Sequence, residues 1–558
     1  MGTLRHFLMP AIVALLSATV SAANVDLADK PLANGISNSV KPNIMFVLDD
    51  SGSMGWDYLP DSVNGKQGDN CFKNHLYNKV YFNPGYTYPV PVDASGNPLG
   101  NATFGTAKRN GFDGGSSTTN LATAFKAHSG DTAQAAYYYE YTGGGTPTPG
   151  TCYANNKYTK RVVTAAQEQN FANWYSYYRT RMQMMKSALS LAFKPIDDTK
   201  RVGYMSINNN TGTDFRNLAL FDAAGKSAWY NKIFAAQPSD GTGLRWALTT
   251  AGRLYGGKLN GQNFWGTPVV DPVQYSCQQN FTILATDGYW NTETTGLGCN
   301  RHEGCKLDGA VLGNQDGGAA KPMWDGSSTT VTLVDTYQQF VYSVTNSGCS
   351  GANRRVRQQQ QRKTITTTTI NGSPGAPVDS GWSNFGAATT FIACQNPAPT
   401  APPNTTPVLL SSNTNTNSSG GSTGSLADVA MYYYETDIRD GGLGNCTGAL
   451  GLDVCENNVP GTTRDTAAHQ HMTTFTLGLG INGQLTYAEN YEACGNSCDY
   501  PAIVQGTKTW PVPSSNDPTT VDDLWHAAVN GRGVYYSAGT PESLASGLAK
   551  ALAGVNAR

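Results

Sequence analysis

Charge is scarce in this 558-residue chain: 38 Lys and Arg against 40 Asp and Glu leave a formal net charge of −2. A basic stripe is expected for a nucleic-acid partner, and such a composition argues against one. Histidine is scarcer, at seven residues. None of His6, His75, His128, His302, His469, His471 and His526 falls in a nucleophile or zinc-protease motif. His469-Gln-His471 lacks a nearby third ligand, and Cys299-Asn-Arg-His302-Glu-Gly-Cys305 reads as a local disulfide in an oxidising compartment. No G-x-x-x-x-G-K-[ST] loop is present, so the chain is not by itself a nucleotide-driven motor. Long apolar runs are missing too, with one exception at the amino terminus. Arg5 and His6 precede the apolar run Phe7 to Leu16, and Val20-Ser21-Ala22 supplies small residues for cleavage. That run is too short for an anchor and fits a removable secretory signal over residues 1–22. Nothing else is apolar enough over sufficient length to cross a bilayer, so an integral membrane protein is not expected.

Gly, Asn, Thr, Ser and Tyr are abundant instead, with 62 Gly and 29 Tyr. This composition suits a secreted, loop-rich surface protein. The eleven cysteines are an odd number for a chain that meets an oxidising compartment. Cys494/Cys498, Cys446/Cys455 and Cys299/Cys305 are natural local bridges. Cys71 with Cys152, and Cys349 with Cys394, could staple larger excursions and leave Cys277 single. Spacing alone does not fix this connectivity.

The chain is organised around Asn43-Ile-Met-Phe-Val-Leu-Asp-Asp-Ser-Gly-Ser-Met54. Asn43 to Leu48 reads as a buried strand, and it ends in Asp49-Asp50-Ser51-Gly52-Ser53. Alternation aims Asp49, Ser51 and Ser53 the same way from a tight turn that Gly52 lets close. Hard oxygens converging at the carboxyl end of a strand suit Mg²⁺, Mn²⁺ or Ca²⁺. Alone, D-x-S-x-S is weak, because Asp and Ser are also ordinary turn residues. Two later segments strengthen it. Asp240-Gly-Thr-Gly-Leu244 opens a helical pattern (Leu244, Leu248, Ala251, Tyr255). Asn280 to Thr286 is a second apolar strand, ending in Asp287-Gly288. The three segments together resemble the metal-ion-dependent adhesion site of the von Willebrand factor A family. The resemblance implies one divalent cation, Mg²⁺ first and Mn²⁺ or Ca²⁺ as alternatives, held by Asp49, Ser51, Ser53, Thr242 and Asp287. It also implies that hydroxyls bind directly while at least one carboxylate acts through water. With only two carboxylates nearby, the ion would stay electrophilic enough to accept a carboxylate from a partner.

Between these segments the chain reads as one α/β domain over residues 41–558 with two large insertions. Residues 56–165 are dominated by Gly, Asn, Tyr and Pro, and are too long for a simple connection. Their tyrosines either line a binding surface or pack a loop with little regular structure. One helix is then predicted from Phe171 through Leu189, ending at Pro195. A strand follows at Arg201 to Asn208. The second insertion covers 298–425, with a strand pair around Thr364 to Ile370 and a low-complexity stretch, 399–425, that should be mobile or disordered. Helices are predicted at Leu426–Tyr434, Asp522–Val529 and from Thr540 onward, and strands at Thr473–Gly480 and Val534–Ser537. Alternating helices and strands predict a Rossmann-type parallel sheet flanked by helices.

Several stretches are similar to the amino-terminal region of PilY-type tip adhesins of bacterial type IV pili. They are Gln169 to Arg179, Cys277 to Asn291, Ala427 to Tyr434, and Asp523-Leu-Trp-His-Ala-Ala-Val-Asn-Gly-Arg-Gly533. The resemblance implies export through the periplasm to the cell surface or pilus tip, with outer-membrane association as an option. It implies minor pilins as partners, and roles in pilus biogenesis, twitching motility, surface sensing and attachment to a host or surface receptor with an exposed carboxylate. The resemblance implies a carboxy-terminal β-propeller beyond this region; the sequence stops at Arg558, either as a fragment or as a shortened relative, so calcium-governed retraction is not carried over. Two other functional classes are compatible with these residues. One is a structural scaffold that primes minor pilins with a non-essential metal site. The other is a metal-dependent hydrolase using Ser51 or Ser53, for which no base can be assigned. The expectation is a non-enzymatic protein.

Overall fold

The computed structural model describes residues 40–208, 212–264, 266–291, 304–325, 328–370, 373–419 and 421–556. The signal segment and Cys299 lie outside them.

Strand β1 (Asn43–Leu48) is buried along its whole length. With Arg201–Ser206 (β2), Phe215–Leu220 (β3), Asn280–Thr286 (β4), Thr473–Leu479 (β5) and Arg532–Ala538 (β6) it forms a six-stranded sheet in the order β6-β5-β4-β1-β2-β3. The pairs from β6 to β2 are parallel, whereas β3 runs antiparallel to β2. The fully parallel sheet read from the sequence is therefore corrected at one edge. The link from Ser206 to Phe215 is shorter than the roughly dozen residues a parallel crossover needs, so the chain turns back as a hairpin.

Eight α-helices occur among the described residues: α1 (Glu168–Tyr177), α2 (Arg181–Ala192), α3 (Ala223–Ala235), α4 (Leu244–Tyr255), α5 (Leu426–Glu435), α6 (Tyr500–Gln505), α7 (Thr519–Asn530) and α8 (Pro541–Asn556). The period-two alternation of β1 decides which layer each side chain joins. Ile44, Phe46 and Leu48 enter a core with Trp174 of α1, Met185 of α2, Trp229 of α3 and Leu548 of α8. Met45 and Val47 enter the opposite core with Leu248 of α4, Tyr433 of α5 and Trp525 of α7. The sheet is thus covered on both faces, which explains why β1, β4 and β5 are buried along their whole length.

The single helix expected from Phe171 to Leu189 is two helices. Thr180 interrupts it: its side chain accepts from the backbone N–H of Gln183 while the Gln183 side chain accepts from the Thr180 N–H, a reciprocal cap that starts α2 afresh. This break sets Arg181 at the first turn of α2, fully buried.

Both insertions are more ordered than their composition suggests. In the first, Tyr81, Phe82, Tyr88, Phe125 and Tyr137 are buried in the core that includes Phe171 and Trp174 of α1. Of the two readings of its tyrosines, packing describes these. In the second, Ser328–Thr345 is the central strand of a long antiparallel ribbon between Arg354–Ile370 and Val408–Ser419. Its central strand of 18 residues spans about 60 Å at ~3.4 Å per residue. We call this ribbon the arm. The disorder expected for 399–425 is corrected by Val408–Ser419, an edge strand that pairs with the central strand along one side although most of its residues are Ser, Asn and Thr.

Disulfides join Cys71 to Cys152, Cys349 to Cys394, Cys446 to Cys455 and Cys494 to Cys498, and Cys277 is a free thiol. The Cys299/Cys305 pairing falls partly outside the described residues. Among the described residues no helix is long and apolar enough to cross a membrane.

Candidate metal centre

In a doubly wound sheet the crevice lies where strand order reverses, outside the carboxyl ends of the strands. Here that point is between β1 and β4, and the first and third loops of the sequence motif emerge there. Asp49, Ser51, Thr242 and Asp287 are buried, and Ser53 is half-buried. Backbone bonds tie the three loops together. Gly52 N–H donates to the Asp240 carbonyl at 3.1 Å, and Ser239 N–H to the Asp50 carbonyl at 2.6 Å. The Asn291 carboxamide oxygen accepts from Thr242 N–H at 2.7 Å, joining the second loop to the third. Gly241 is required for that approach, since a Cβ there would stand 2.9 Å from the same oxygen.

The oxygens are spaced as a small hard cation requires. Ser51 Oγ and Ser53 Oγ are 2.9 Å apart, and Ser53 Oγ donates to Asp287 Oδ1 at 3.0 Å. An octahedral Mg²⁺ holds oxygens at about 2.0–2.1 Å, which spaces adjacent ligands about 2.9 Å apart. A Cβ on Gly288 would meet Ser53 Oγ at 3.4 Å and Thr242 Oγ1 at 4.0 Å, so this glycine borders both hydroxyls. Asp49 is differently employed: Oδ1 accepts from Ser51 N–H at 2.8 Å and Oδ2 from Thr286 Oγ1 at 2.5 Å. With both oxygens engaged in shaping the loop, Asp49 is suited to reach an ion through water. The hydroxyl and carboxylate oxygens of Ser51, Ser53 and Asp287, with Thr242 bordering them, therefore fit a divalent cation.

Burial raises the carboxyl pKa of Asp49 above its ordinary value, and the neighbouring Asp50 is pushed up to about 6 by the same cause. Asp287 is pushed up to about 7 by burial, with Arg181 opposing and Asp49 adding repulsion. A bound cation would reverse that cost by favouring the ionised forms.

No family model and no solved structure matches this chain. Three curated proteins do, each named type IV pilus biogenesis factor PilY1, from Pseudomonas aeruginosa strains PAO1, PAK and UCBPP-PA14. The PAO1 protein is 29% identical over 579 aligned residues, covering 95% of this chain and 39% of the relative. The PAK protein is 28% identical with 95% and 40% covered, and the UCBPP-PA14 protein 26% with 97% and 40%. The chain is PilY-like along almost its whole length. It spans about two fifths of the length of these relatives.

The PilY-like chain also carries site residues that sequence reasoning missed. Arg181 is the foremost. Its Nη1 donates to Asp287 Oδ2 at 3.0 Å, Nη2 to Asp61 Oδ1 at 2.6 Å and Nε to the Tyr58 carbonyl at 2.8 Å. The guanidinium also lies over the Trp56 ring, 4.9 Å from its centroid. A fixed positive charge thus sits on the far oxygen of a candidate ligand and links it to the start of the first insertion. Thr286 and Asn291 lie inside stretches the sequence singled out, and their polar side chains beside Asp287 were the available signal. Arg181 had none, because 106 residues separate it from Asp287.

Proposed function

We propose that this chain is a secreted, metal-ion-dependent adhesion and assembly factor of bacterial type IV pili, with a von Willebrand A-like domain. The pilus assignment rests on the alignment with three pilus biogenesis factors over at least 95% of the chain. The von Willebrand A-like reading is supported by the strand order and by hydroxyls from three loops at its reversal point. On this reading a cation, Mg²⁺ first, is held by Ser51, Ser53, Thr242 and Asp287, with Asp49 one water away. When bound, the ion supplies an electrophilic position for a carboxylate oxygen from a partner. The protein's part is to pre-organise the hydroxyls and keep negative charge low, so that the incoming carboxylate is needed to complete the shell. The chemistry is coordination, not turnover. The partners are minor pilins and a carboxylate-bearing receptor at the pilus tip.

A scaffold reading has one observation in its favour: the Arg181 guanidinium already neutralises Asp287, so the loops can be held without an ion. Asp49→Ala in the bacterium separates the two. Loss of attachment with pilus number kept supports adhesion through the metal, and loss of piliation itself supports assembly. If neither changes, and calorimetry of the wild-type chain detects no Mg²⁺ or Mn²⁺ binding, the metal-dependent reading fails.

A further inference from the structure

Where α1 breaks before α2, a cleft opens against the first insertion. Its volume is about 720 Å³, within the ~300–1,000 Å³ typical of ligand sites. The wall combines Trp56 and Asp57 from the start of the insertion, Arg109, Lys126 and His128 from further along it, and Tyr175 and Arg179 from the helix junction. Short links fix these elements to one another. Arg179 Nη2 and Gln183 Nε2 donate to the Arg109 carbonyl at 3.1 and 2.7 Å, and the Tyr175 hydroxyl lies 2.9 Å from Thr119 Oγ1.

Charge in this cleft is unbalanced. Arg109, Lys126 and Arg179 all line it, and among the described residues none of the three makes an ion pair. Among the described residues of the wall, Asp57 is the only carboxylate, and His128 Nδ1 already approaches both of its oxygens, at 3.0 and 3.1 Å. Arg179 is the most exacting of the cations. Its Nε is buried without a hydrogen-bond partner, and its guanidinium lies over the Tyr175 ring, 4.7 Å from the centroid. Burial lowers its pKa below the ordinary value; Tyr175 and Asp57 oppose that shift, and repulsion from Arg109 adds to it. A guanidinium stays charged in proteins, so it cannot escape this cost by changing protonation, and an anion from outside is what relieves it. Stacking has less to offer here. Tyr58 already stacks on Trp56 at 5.0 Å between centroids, Arg181 lies over the same ring at 4.9 Å, and Arg179 covers Tyr175. The wall therefore selects for negative charge rather than for a planar base or a sugar ring.

We propose that this cleft binds an acidic peptide segment of a partner, whose carboxylates pair with Arg179, Arg109 and Lys126. Planar guanidinium groups match carboxylates in geometry as well as charge, which suits two arginines to this task. The choice of a peptide rests on the reading of the neighbouring metal centre as a receptor for a partner's carboxylate. One short turn, Gly52–Gly55, is all that separates Ser53 from Trp56, and Arg181, which holds Asp287, donates its N–H to the Trp56 carbonyl at 3.2 Å. A single acidic segment can then engage both places, with one carboxylate on the ion and others in the cleft. The cleft itself shares no residue with the metal-binding oxygens and keeps its charge without an ion.

The test is fluorescence anisotropy of a labelled hexaglutamate peptide with the full chain, disulfides intact, first in metal-free buffer and then in Mg²⁺. Saturable binding without metal is expected, and it should persist in Asp49→Ala. Arg109→Glu and Lys126→Glu, both at exposed side chains, should each weaken it by roughly 10-fold or more. Lys157→Glu makes the same charge change at an exposed position outside the cleft, and should weaken it by no more than about 2-fold. Mg²⁺ should tighten binding to the parent and not to Asp49→Ala; absence of that increment alone counts against the metal reading and leaves the cleft standing. The proposal is overturned if the parent does not bind hexaglutamate in metal-free buffer, or if the reversals in the cleft weaken binding no more than Lys157→Glu. It is also overturned if a hexameric oligouronate of equal charge binds more tightly than the peptide.

Discussion

Arg181→Met tests how the chain balances charge at the candidate metal centre. Methionine keeps much of the aliphatic stem that packs near Trp56 and Tyr58, and removes the guanidinium. Asp287, 0% exposed on its side chain, then loses the partner of Oδ2, whereas Asp61, at 30% exposure, can be rehydrated. Breaking a buried pair by removing one member costs up to about 3–5 kcal/mol where the remaining charge is stranded, which for Asp287, already pushed up to about 7, requires alkaline pH. That cost should appear in full in chelator. In Mg²⁺ it should shrink, since an ion on Asp287 Oδ1 supplies the missing charge: a ligand at 100 times its Kd contributes about 2.7 kcal/mol. Mg²⁺ should also bind the variant more tightly than the parent, where Arg181 competes for Asp287. The assay is the thermal midpoint of the disulfide-intact chain in chelator and in Mg²⁺, with Asp287→Asn and the double variant alongside. The double variant should be less destabilised than Arg181→Met alone, because no charge is stranded. Equal losses with and without Mg²⁺, together with additive single substitutions, would refute this account.

Two further outcomes follow from the packing. Gly252→Ala should destabilise despite the gain of about 1 kcal/mol in helix propensity, since its Cβ would stand 2.3 Å from the buried Tyr433 ring. That ring is anchored by its hydroxyl, which donates to the Cys305 carbonyl at 2.8 Å, so a net loss of about 1–3 kcal/mol is expected in the midpoint. Lys186 gives a pH signature. Its Nζ donates to the carbonyls of Phe234 at 2.8 Å and Ala236 at 2.6 Å, and burial lowers its pKa from 10.5 to about 7. Between these values the unfolded chain binds more protons than the folded one, so this residue's contribution to stability rises with pH from about 7 towards 10.5 and is lost as pH falls through 7. Urea midpoints measured across that range should have a flatter pH dependence in Lys186→Met; an unchanged slope would rule out this assignment.

The sequence by itself determined the elements whose cause is local. Asn43–Leu48 and Leu244–Tyr255 have the bounds their apolar patterns indicate, because burial on both faces of a strand and on one face of a helix is written residue by residue. The loops after β1 and β4 were legible for the same reason, since hydroxyls and carboxylates stand where an apolar strand stops. Cysteine spacing was informative for short loops, and the two long pairings also formed. What depended on partners distant in the chain was not legible. The arm's Ser-, Asn- and Thr-rich returning strand takes its order from backbone pairing with Ser328–Thr345, which composition does not encode. The reversal of β3 followed from a connection too short to cross the sheet, and the break before α2 from a reciprocal cap. Arg181 could be placed beside Asp287 only by the fold, because charge compensation in a dry interior depends on distance in space and not on distance along the chain.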